Sequence, residues 1–242
     1  MAPNRWPPEE LPPGCVLSNV FEHGAPIAEY VFYVMLLHLT QIEHHAATFR
    51  HGNWSGSGRV AGQPHDELSG KTIGILGYGH IGQELARRAE VFGMEVLLKR
   101  YNHEAIGFWS QSDFIVIACS LNDHTRGMVS STQLDAIQDG AMIVNVARAE
   151  IIEEAALFRA LSTREIYAAL DAWYQYPTTI HQALPGSVFD FHNLPNVLST
   201  PHLTAWTSKM IERRMRKISS NLDRLARGET LKRIVLEGPA PR

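Results

Sequence analysis

Cysteine is scarce in this sequence, with only two residues among 242. Cys15 and Cys119 lie far apart and outside any CxxC spacing, so neither a disulfide framework nor a thiolate metal site is indicated. The histidines at positions 38, 44 and 45 come without an HExxH pattern or paired carboxylates, so no other metal site is expected. These absences favour a reducing, cytoplasmic setting.

The sequence also has little net charge and no long apolar run. Its 22 basic and 25 acidic residues give a formal charge of −3, which provides no general attraction to polyanions such as nucleic acid. Residues 30–39 form the longest apolar run, far short of the roughly 20 residues that span a bilayer. The N-terminus lacks the basic segment and apolar core of a secretory signal. We therefore expect a soluble protein with neither a nucleic-acid nor a membrane partner.

Short apolar runs alternate with helical segments from residue 71 onward. This alternation is typical of βαβ units, and near-continuous apolar strands are typical of a parallel sheet with helices on both faces. The sequence thus predicts an α/β fold with a doubly wound, Rossmann-type parallel sheet. The predicted strands are residues 71–76, 95–99, 113–119, 141–147, 166–173 and 196–200.

Three helices can be assigned from apolar periodicity and capping signals. Residues 130–138 begin with Ser130 and Gln133 in a capping-box pattern, and residues 207–227 carry apolar side chains at three- and four-residue steps. The first half of residues 27–49 is apolar nearly all the way round. Such a helix must be covered on both sides, so it is either a central core helix or a contact with a second copy of the chain.

A glycine-rich turn follows the first predicted strand. Gly77, Gly79 and Gly82 form GxGxxG ahead of an amphipathic helix. The first glycine permits a tight turn, the second lets backbone amides approach a pyrophosphate, and the third lets helix and strand pack closely. The helix N-terminus adds a favourable potential for phosphates. In this strand-turn-helix context the motif predicts dinucleotide binding.

The second predicted strand ends in two cations, Lys99 and Arg100, about twenty residues past the glycine motif. An Asp or Glu usually stands there and accepts hydrogen bonds from the ribose hydroxyls of NAD. Two cations would instead attract the 2′-phosphate of NADP through charge-assisted hydrogen bonds. NADP is therefore the predicted cofactor and NAD a possible one, while in the alternative both side chains simply point to solvent.

Several segments in series resemble the D-2-hydroxyacid dehydrogenases, the family of phosphoglycerate, glyoxylate and formate dehydrogenases. They are residues 68–97 around the glycine motif, residues 121–157 with "NVARA", "AALDAW" at 168–173 and "NVLSTPHLT" at 196–204. The resemblance implies an oxidoreductase that transfers a hydride between a nicotinamide cofactor and a small 2-oxo or 2-hydroxy acid.

The resemblance also implies catalytic residues. Arg148, in "NVARA", corresponds to the family's Arg, whose guanidinium can clamp a carboxylate and polarise the carbonyl beside it. His202, in "TPH", corresponds to the general acid/base. Tyr176 stands where the family usually has a Glu that hydrogen-bonds this His. A phenol can orient the ring but adds no negative charge, so we expect His202 to be less basic than its counterparts and the pH profile to lie lower.

A set of cofactor contacts follows from the same resemblance. Asp171 matches the family's Asp near the nicotinamide carboxamide, although it could also be a turn residue at a strand end. The residues expected to bind the cofactor are Gly77, Gly79, His80, Ile81, Gly82, Lys99, Arg100, Cys119, Ser120, Thr125, Val146, Ala147 and Asp171.

The domain organisation departs from the family's, because most of the flavodoxin-like substrate domain has no counterpart in the sequence. We assign residues 1–26 to a remnant or linker of that domain, 27–228 to the nucleotide-binding domain and 229–242 to a C-terminal tail. Residues 27–62 resemble the family's dimerisation arm, so we expect a homodimer in which the apolar helix meets a second copy. Two alternatives to the dehydrogenase stay open. One is a catalytically impaired dinucleotide-binding homodimer, either a truncated remnant or a nucleotide-sensing interaction protein, and the other is a reductase of a different electrophile.

Overall fold

A computed structural model describes residues 11–100, 107–179 and 182–238 of the chain. The strands are β1 (Val16–Ser18), β2 (Thr72–Leu76), β3 (Glu95–Lys99), β4 (Phe114–Ile117), β5 (Met142–Asn145), β6 (Tyr167–Leu170), β7 (Val197–Ser199) and β8 (Ile234–Glu237). The α-helices are α1 (Gly24–Thr40), α2 (Ile42–Phe49), α3 (His80–Val91), α4 (Phe108–Gln111), α5 (Ser131–Asp135), α6 (Glu154–Thr163) and α7 (Ser208–Ala226).

The six strands β2 to β7 form one parallel sheet in the order β3-β2-β4-β5-β6-β7. All six predicted strands are confirmed, as is the doubly wound Rossmann-type fold. The strand order reverses direction between β2 and β4. In such sheets ligands bind in the crevice outside the carboxyl ends of the strands at this point.

Helices cover both faces of the sheet and divide the core into two apolar clusters. On β4, Phe114 and Val116 point to the cluster of α1 and α3, while Ile115 and Ile117 point to the cluster of α5 and α6. Burying one such side chain contributes about 1.5–3 kcal/mol. A strand that is buried on both faces must be apolar at every position, which explains the continuous runs in the sequence.

The predicted helix 27–49 is two helices. Gln41 has φ +47°, in the left-handed region, and α1 and α2 meet there at a bend of 53°. The assignment of the apolar half to a second copy was too broad, because Val31, Phe32 and Met35 of α1 are buried in the chain's own core beside α3. The core-helix alternative is therefore correct for the inner face of α1.

The part of the arm that follows α1, residues 41–62, is largely exposed. Within α2 no residue is buried, and Ile42 and Phe49 present their apolar side chains to the surface. Trp54 is half exposed and packs edge-on against Phe49, with ring centroids 4.9 Å apart. This part of the arm thus makes its aromatic contacts within itself and leaves an apolar surface exposed.

The other predicted helices are confirmed with adjusted ends. In α5 the capping box is present, since the Ser130 N–H donates to Oε1 of Gln133 over 3.0 Å, but the helix ends at Asp135. The Thr207 side chain caps α7 by accepting from the Met210 N–H. Met210, in the first turn of α7, is buried, but most of the apolar positions that follow are exposed; they are Met215, Ile218, Leu222 and Leu225.

The two ends of the described chain meet in a small antiparallel sheet, in which β1 pairs with β8. These residues were predicted to form a linker and a tail, and their pairing was not predicted. On the side of α7, Asn221 ties the two segments together through bonds to Ser18 and Lys232. Residues 1–10 of the predicted linker and 239–242 of the tail lie outside the described residues.

The described residues contain neither a membrane-spanning helix nor a cluster of metal ligands. No single helix among the described residues is long and apolar enough to cross a bilayer. Only α1 and α2 taken together, as a bent pair, have the length and composition of a membrane span. No group of three or more His, Cys, Asp or Glu in the same residues could hold a metal ion.

Candidate active site

The predicted site residues gather at one edge of the sheet, where all six parallel strands end. Each strand contributes at least one predicted residue at its carboxyl end or in the loop that follows. In the order β2 to β7 these are Gly77, Lys99, Cys119, Arg148, Asp171 and His202.

The glycine turn has the geometry that the motif predicts. Gly77 has φ +103°, and a Cβ there would lie 2.6 Å from backbone atoms of Cys119. A Cβ on Gly82 would lie 2.2 Å from the carbonyl oxygen of Gly77, so close packing of α3 on β2 requires glycine. A Cβ on Gly79 would meet no atom within 4 Å, so the space in front of this residue is open. The site therefore fits a pyrophosphate at the start of α3.

His80 and Ile81 form the first turn of α3. The His80 ring stacks on Phe21 with centroids 4.5 Å apart. The Arg233 guanidinium lies over the Phe21 ring, 5.5 Å from its centroid. Ile81 packs against the apolar cluster of α1. His80 therefore joins the phosphate side of the site to the segment before α1.

The two cations lie beside the glycine turn. The main-chain carbonyl of Lys99 accepts from the Gly77 N–H over 2.9 Å, and Leu76 and Lys99 are register partners. The Arg100 side chain is exposed. Both residues stand where the ribose end of a dinucleotide bound at Gly79 would reach.

The loop after β4 holds three further cofactor candidates. Burial raises the pKa of the Cys119 thiol to about 11, so this thiol is neutral and unreactive at neutral pH. The buried Thr125 hydroxyl donates to the Ser120 carbonyl over 2.7 Å and accepts from the Asn122 N–H. Thr125 thus shapes the loop, whereas Ser120 is exposed at its surface.

A buried asparagine shapes the loop that carries Arg148. Asn145 accepts from the Ala147 N–H over 3.1 Å and donates to the Arg148 carbonyl, also over 3.1 Å. Val146 and Ala147 are consequently packed into the sheet edge, while the Arg148 side chain is exposed. The Asn145 side-chain amide therefore folds the backbone so that the Arg148 side chain points away from the core.

Asp171 is buried, and its carboxylate is fully engaged within the protein. Oδ1 accepts from the Thr200 hydroxyl at 2.7 Å and the Leu203 N–H at 2.8 Å. Oδ2 accepts from the Thr204 hydroxyl at 2.7 Å and its N–H at 3.1 Å. The carboxylate therefore holds the loop on both sides of His202.

His202 is exposed and has φ +58°, an uncommon conformation for a residue other than glycine. Its Nδ1 lies 3.0 Å from the Asp171 carbonyl oxygen and 3.1 Å from the Tyr176 hydroxyl. A carbonyl can only accept, so the bond to Asp171 requires a proton on Nδ1. Nε2 is then the nitrogen that is left to exchange a proton with a ligand.

Tyr176 is held by the backbone next to it. Its hydroxyl accepts from the Trp173 N–H over 3.1 Å, and the Trp173 indole donates to the Thr200 carbonyl over 2.8 Å. Burial raises the pKa of Tyr176, against the opposing effects of the Trp173 N–H and Arg148. The residue is thus a neutral phenol in hydrogen-bond contact with the His202 ring.

Two residues at this edge, Trp173 and His23, were not predicted from the sequence. Trp173 was not singled out, although it ties Tyr176 to Thr200. His23, which directly precedes α1, is half-buried; burial first, and then Arg214, His80 and Arg148, lower its pKa. No pattern in a single sequence marks either residue, because their importance depends on neighbours that are distant along the chain.

A model of the D-isomer specific 2-hydroxyacid dehydrogenase NAD-binding domain matches residues 32–204. The glycerate dehydrogenase of Methylorubrum extorquens is 32% identical over an alignment of 191 residues, which covers 76% of this chain and 59% of that protein. The hydroxypyruvate reductase of Thermotoga maritima is 32% identical over an alignment of 207 residues, which covers 80% of this chain and 64% of that protein. The chain spans about three fifths of the length of these curated relatives.

Solved structures agree with this match. A 2-hydroxyacid dehydrogenase from Ketogulonicigenium vulgare aligns with a TM-score of 0.74 and 26% identity, over 93% of this chain and 71% of that one. A glyoxylate reductase from Paecilomyes thermophila aligns with a TM-score of 0.71 and 28% identity, over 92% of this chain and 68% of that one. The chain therefore belongs to the D-isomer specific 2-hydroxyacid dehydrogenase family, of which it contains the NAD-binding domain.

Proposed function

We propose that the protein is an oxidoreductase that transfers a hydride between a nicotinamide cofactor and a small 2-oxo or 2-hydroxy acid. The observation that supports this most is the pairing of His202 with Tyr176 and Asp171 at the same sheet edge as Arg148 and the open glycine turn. The relatives named above, a glycerate dehydrogenase and a hydroxypyruvate reductase, point to the same substrate class.

The roles of the side chains follow from their chemistry. Arg148, exposed at the sheet edge, would bind the substrate carboxylate and polarise the adjacent carbonyl. His202 would give a proton from Nε2 to the carbonyl oxygen, while Nδ1–H stays bonded to Asp171. A bound reduced nicotinamide would supply the hydride for the carbonyl carbon. In the reverse direction Nε2 would take the proton from the hydroxyl.

We assign NADP rather than NAD as the preferred cofactor. Lys99 and Arg100 end β3 beside the glycine turn, where a 2′-phosphate would gain two cations. Within the site, Asp171 would contribute through the loop it holds, since its carboxylate oxygens already accept four bonds.

We also propose a homodimer that forms through the arm. The exposed apolar side chains of α2 and the segment after it, Ile42, Phe49, Trp54 and Val60, form the surface that a second copy would cover.

Both cysteines are free, as a reducing compartment requires, and the cytoplasmic location stays a prediction.

The second candidate function is a dinucleotide-binding homodimer that does not turn over substrate. It is favoured by the openness of the site, since His202 is exposed and Trp206 beside it is 71% exposed. Catalysis of this kind gains from the exclusion of water around the reacting groups. The same openness would suit a reductase of another electrophile.

The first experiment measures NADPH consumption by concentrated protein with glyoxylate, hydroxypyruvate and pyruvate. We expect turnover that His202→Gln lowers by about 10²- to 10⁴-fold, because the proton donor is removed. His51→Gln, which changes an exposed histidine of the arm, is the matched control and should keep full activity. Folded protein that binds NADPH but consumes none with any of these acids would support the binding-only alternative instead.

The cofactor preference is tested with Arg100→Ala. We expect NADPH binding to weaken by about 10- to 100-fold, the effect of losing a hydrogen bond to a charged group, and NADH binding to change little. Calorimetric titration of both nucleotides measures the two affinities, with exposed Arg126→Ala as the control. Equal losses for the two nucleotides would contradict the assignment.

The pH profile tests the role of Tyr176. In reduction His202 must be protonated to give a proton to the substrate, so activity declines at alkaline pH. A carboxylate beside Nδ1 stabilises the imidazolium, and Tyr176→Glu should therefore move this alkaline limb to higher pH. Tyr176→Phe removes the hydroxyl without adding charge and is the control. An unmoved limb in the Glu variant would show that Tyr176 does not influence the proton on His202.

The dimer is tested by sedimentation equilibrium of the double variant Phe49→Asp, Trp54→Asp. Placing two charges in a buried apolar contact should raise the dimer dissociation constant at least about tenfold. Val91→Asp changes a side chain that is 84% exposed on α3, outside the arm, and should leave association intact. A wild-type protein that stays monomeric at micromolar concentration would disprove the proposed contact.

A further inference from the structure

The backbone of His202 needs support that the residue itself does not provide. A non-glycine residue at φ +58° is in a sparsely populated conformation, which persists only where the surrounding structure determines it. The side chain is exposed, so packing supplies little of this support. Hydrogen bonds must therefore hold the residue in place.

Those bonds converge on Thr200, two residues before His202. The Thr200 carbonyl accepts from the His202 N–H over 3.0 Å and from the Trp173 indole over 2.8 Å. The Thr200 hydroxyl donates to Oδ1 of Asp171, whose main-chain carbonyl in turn accepts from His202. Thr200 thus links Trp173 and Asp171, the two residues whose hydrogen bonds hold the chain at His202.

The Thr200 hydroxyl has one further partner, Tyr30, which lies 170 residues earlier on α1. The two hydroxyl oxygens are 3.0 Å apart. A hydroxyl has a single proton, and that of Thr200 is given to the carboxylate, so Tyr30 must be the donor in this contact. Burial raises the pKa of Tyr30, which keeps the phenol protonated and able to donate.

We propose that Tyr30 is a positioning residue for His202, acting from the arm helix through Thr200 and Asp171. The Tyr30 hydroxyl fixes the rotamer in which Thr200 donates to Asp171, and Asp171 holds Leu203 and Thr204 on the other side of His202. The inference adds to the proposed function a link between the helix that begins the arm and the proton-transfer residue.

The first test observes His202 without any substrate. Protein with ¹⁵N-labelled imidazoles is titrated by NMR, and the His202 signals are those that vanish in His202→Gln. Tyr30→Phe should shift the His202 tautomer signals or titration midpoint, because Nδ1 loses its fixed position against the Asp171 carbonyl. Tyr33→Phe, an exposed tyrosine one turn along α1, should leave them unchanged.

Variants at Thr200 test the same contact from its other side and cover the case in which Tyr30→Phe does not fold. Thr200→Val keeps the shape of the side chain and removes the hydroxyl, so it should reproduce the Tyr30→Phe spectrum. Thr200→Ser keeps the hydroxyl and should behave as wild type. His202 signals in Thr200→Val and Tyr30→Phe that match wild type would overturn the inference.

Kinetics provide a second readout if the protein reduces a 2-oxo acid. Losing the Tyr30 bond should lower kcat by about 2- to 10-fold, the range of one net hydrogen bond, and shift the pH profile while the KM for NADPH is unchanged. An equal loss in Tyr33→Phe would contradict the assignment. Because the NMR test needs no turnover, a shifted His202 spectrum in an inactive protein would uphold the role of Tyr30 and reject the proposed function.

Discussion

The buried carboxylate of Asp171 is the constraint on which the candidate site depends. A carboxylate removed from water is costly unless its oxygens are hydrogen-bonded, and here four donors from Thr200, Leu203 and Thr204 supply those bonds. These donors come from the end of β7 and the turn that follows, so satisfying the charge also fixes the chain around His202. His202, the candidate proton-transfer residue, therefore takes its geometry from a residue that is itself inaccessible to solvent.

Buried polar groups have the same effect along the rest of the sheet edge. Six buried polar or charged residues occur in the described chain, and four of them lie at the carboxyl end of a strand or in the loop that follows: Thr125, Asn145, Asp171 and Thr204. The side chains of Thr125, Asn145 and Asp171 bind backbone groups of their own loop or of the next one. The Thr204 hydroxyl donates to the Asp171 carboxylate. The apolar strands make the edge rigid, whereas these few polar side chains decide how the backbone leaves it. Arg148 and His202 are exposed because their neighbours are anchored.

The core of the chain is well covered, whereas parts of its surface expose large apolar side chains. Both faces of the parallel sheet are covered, yet the arm and the apolar positions of α7 present large side chains to the outside. Contiguous apolar surfaces of this kind mark interaction sites in soluble proteins. The chain also spans only about three fifths of the length of its curated relatives. The core and the cofactor edge can be understood from this chain alone, whereas the exposed surfaces can be understood only together with whatever covers them.

The sequence by itself determined the six strands of the sheet, the glycine turn and the capping box of α5, because each depends on residues that are close along the chain. Apolar runs mark strands buried on both faces, and Gly77 and Gly82 stand where a side chain would collide with backbone. Only the tertiary structure decided the break at Gln41, the pairing of β1 with β8 and the contact between Tyr30 and Thr200. A glutamine carries no turn signal, and residues some 170 positions apart share no local pattern. The apolar period of α7 predicted a helix but not what covers it, since periodicity records which face is apolar, whereas burial depends on which element packs against that face.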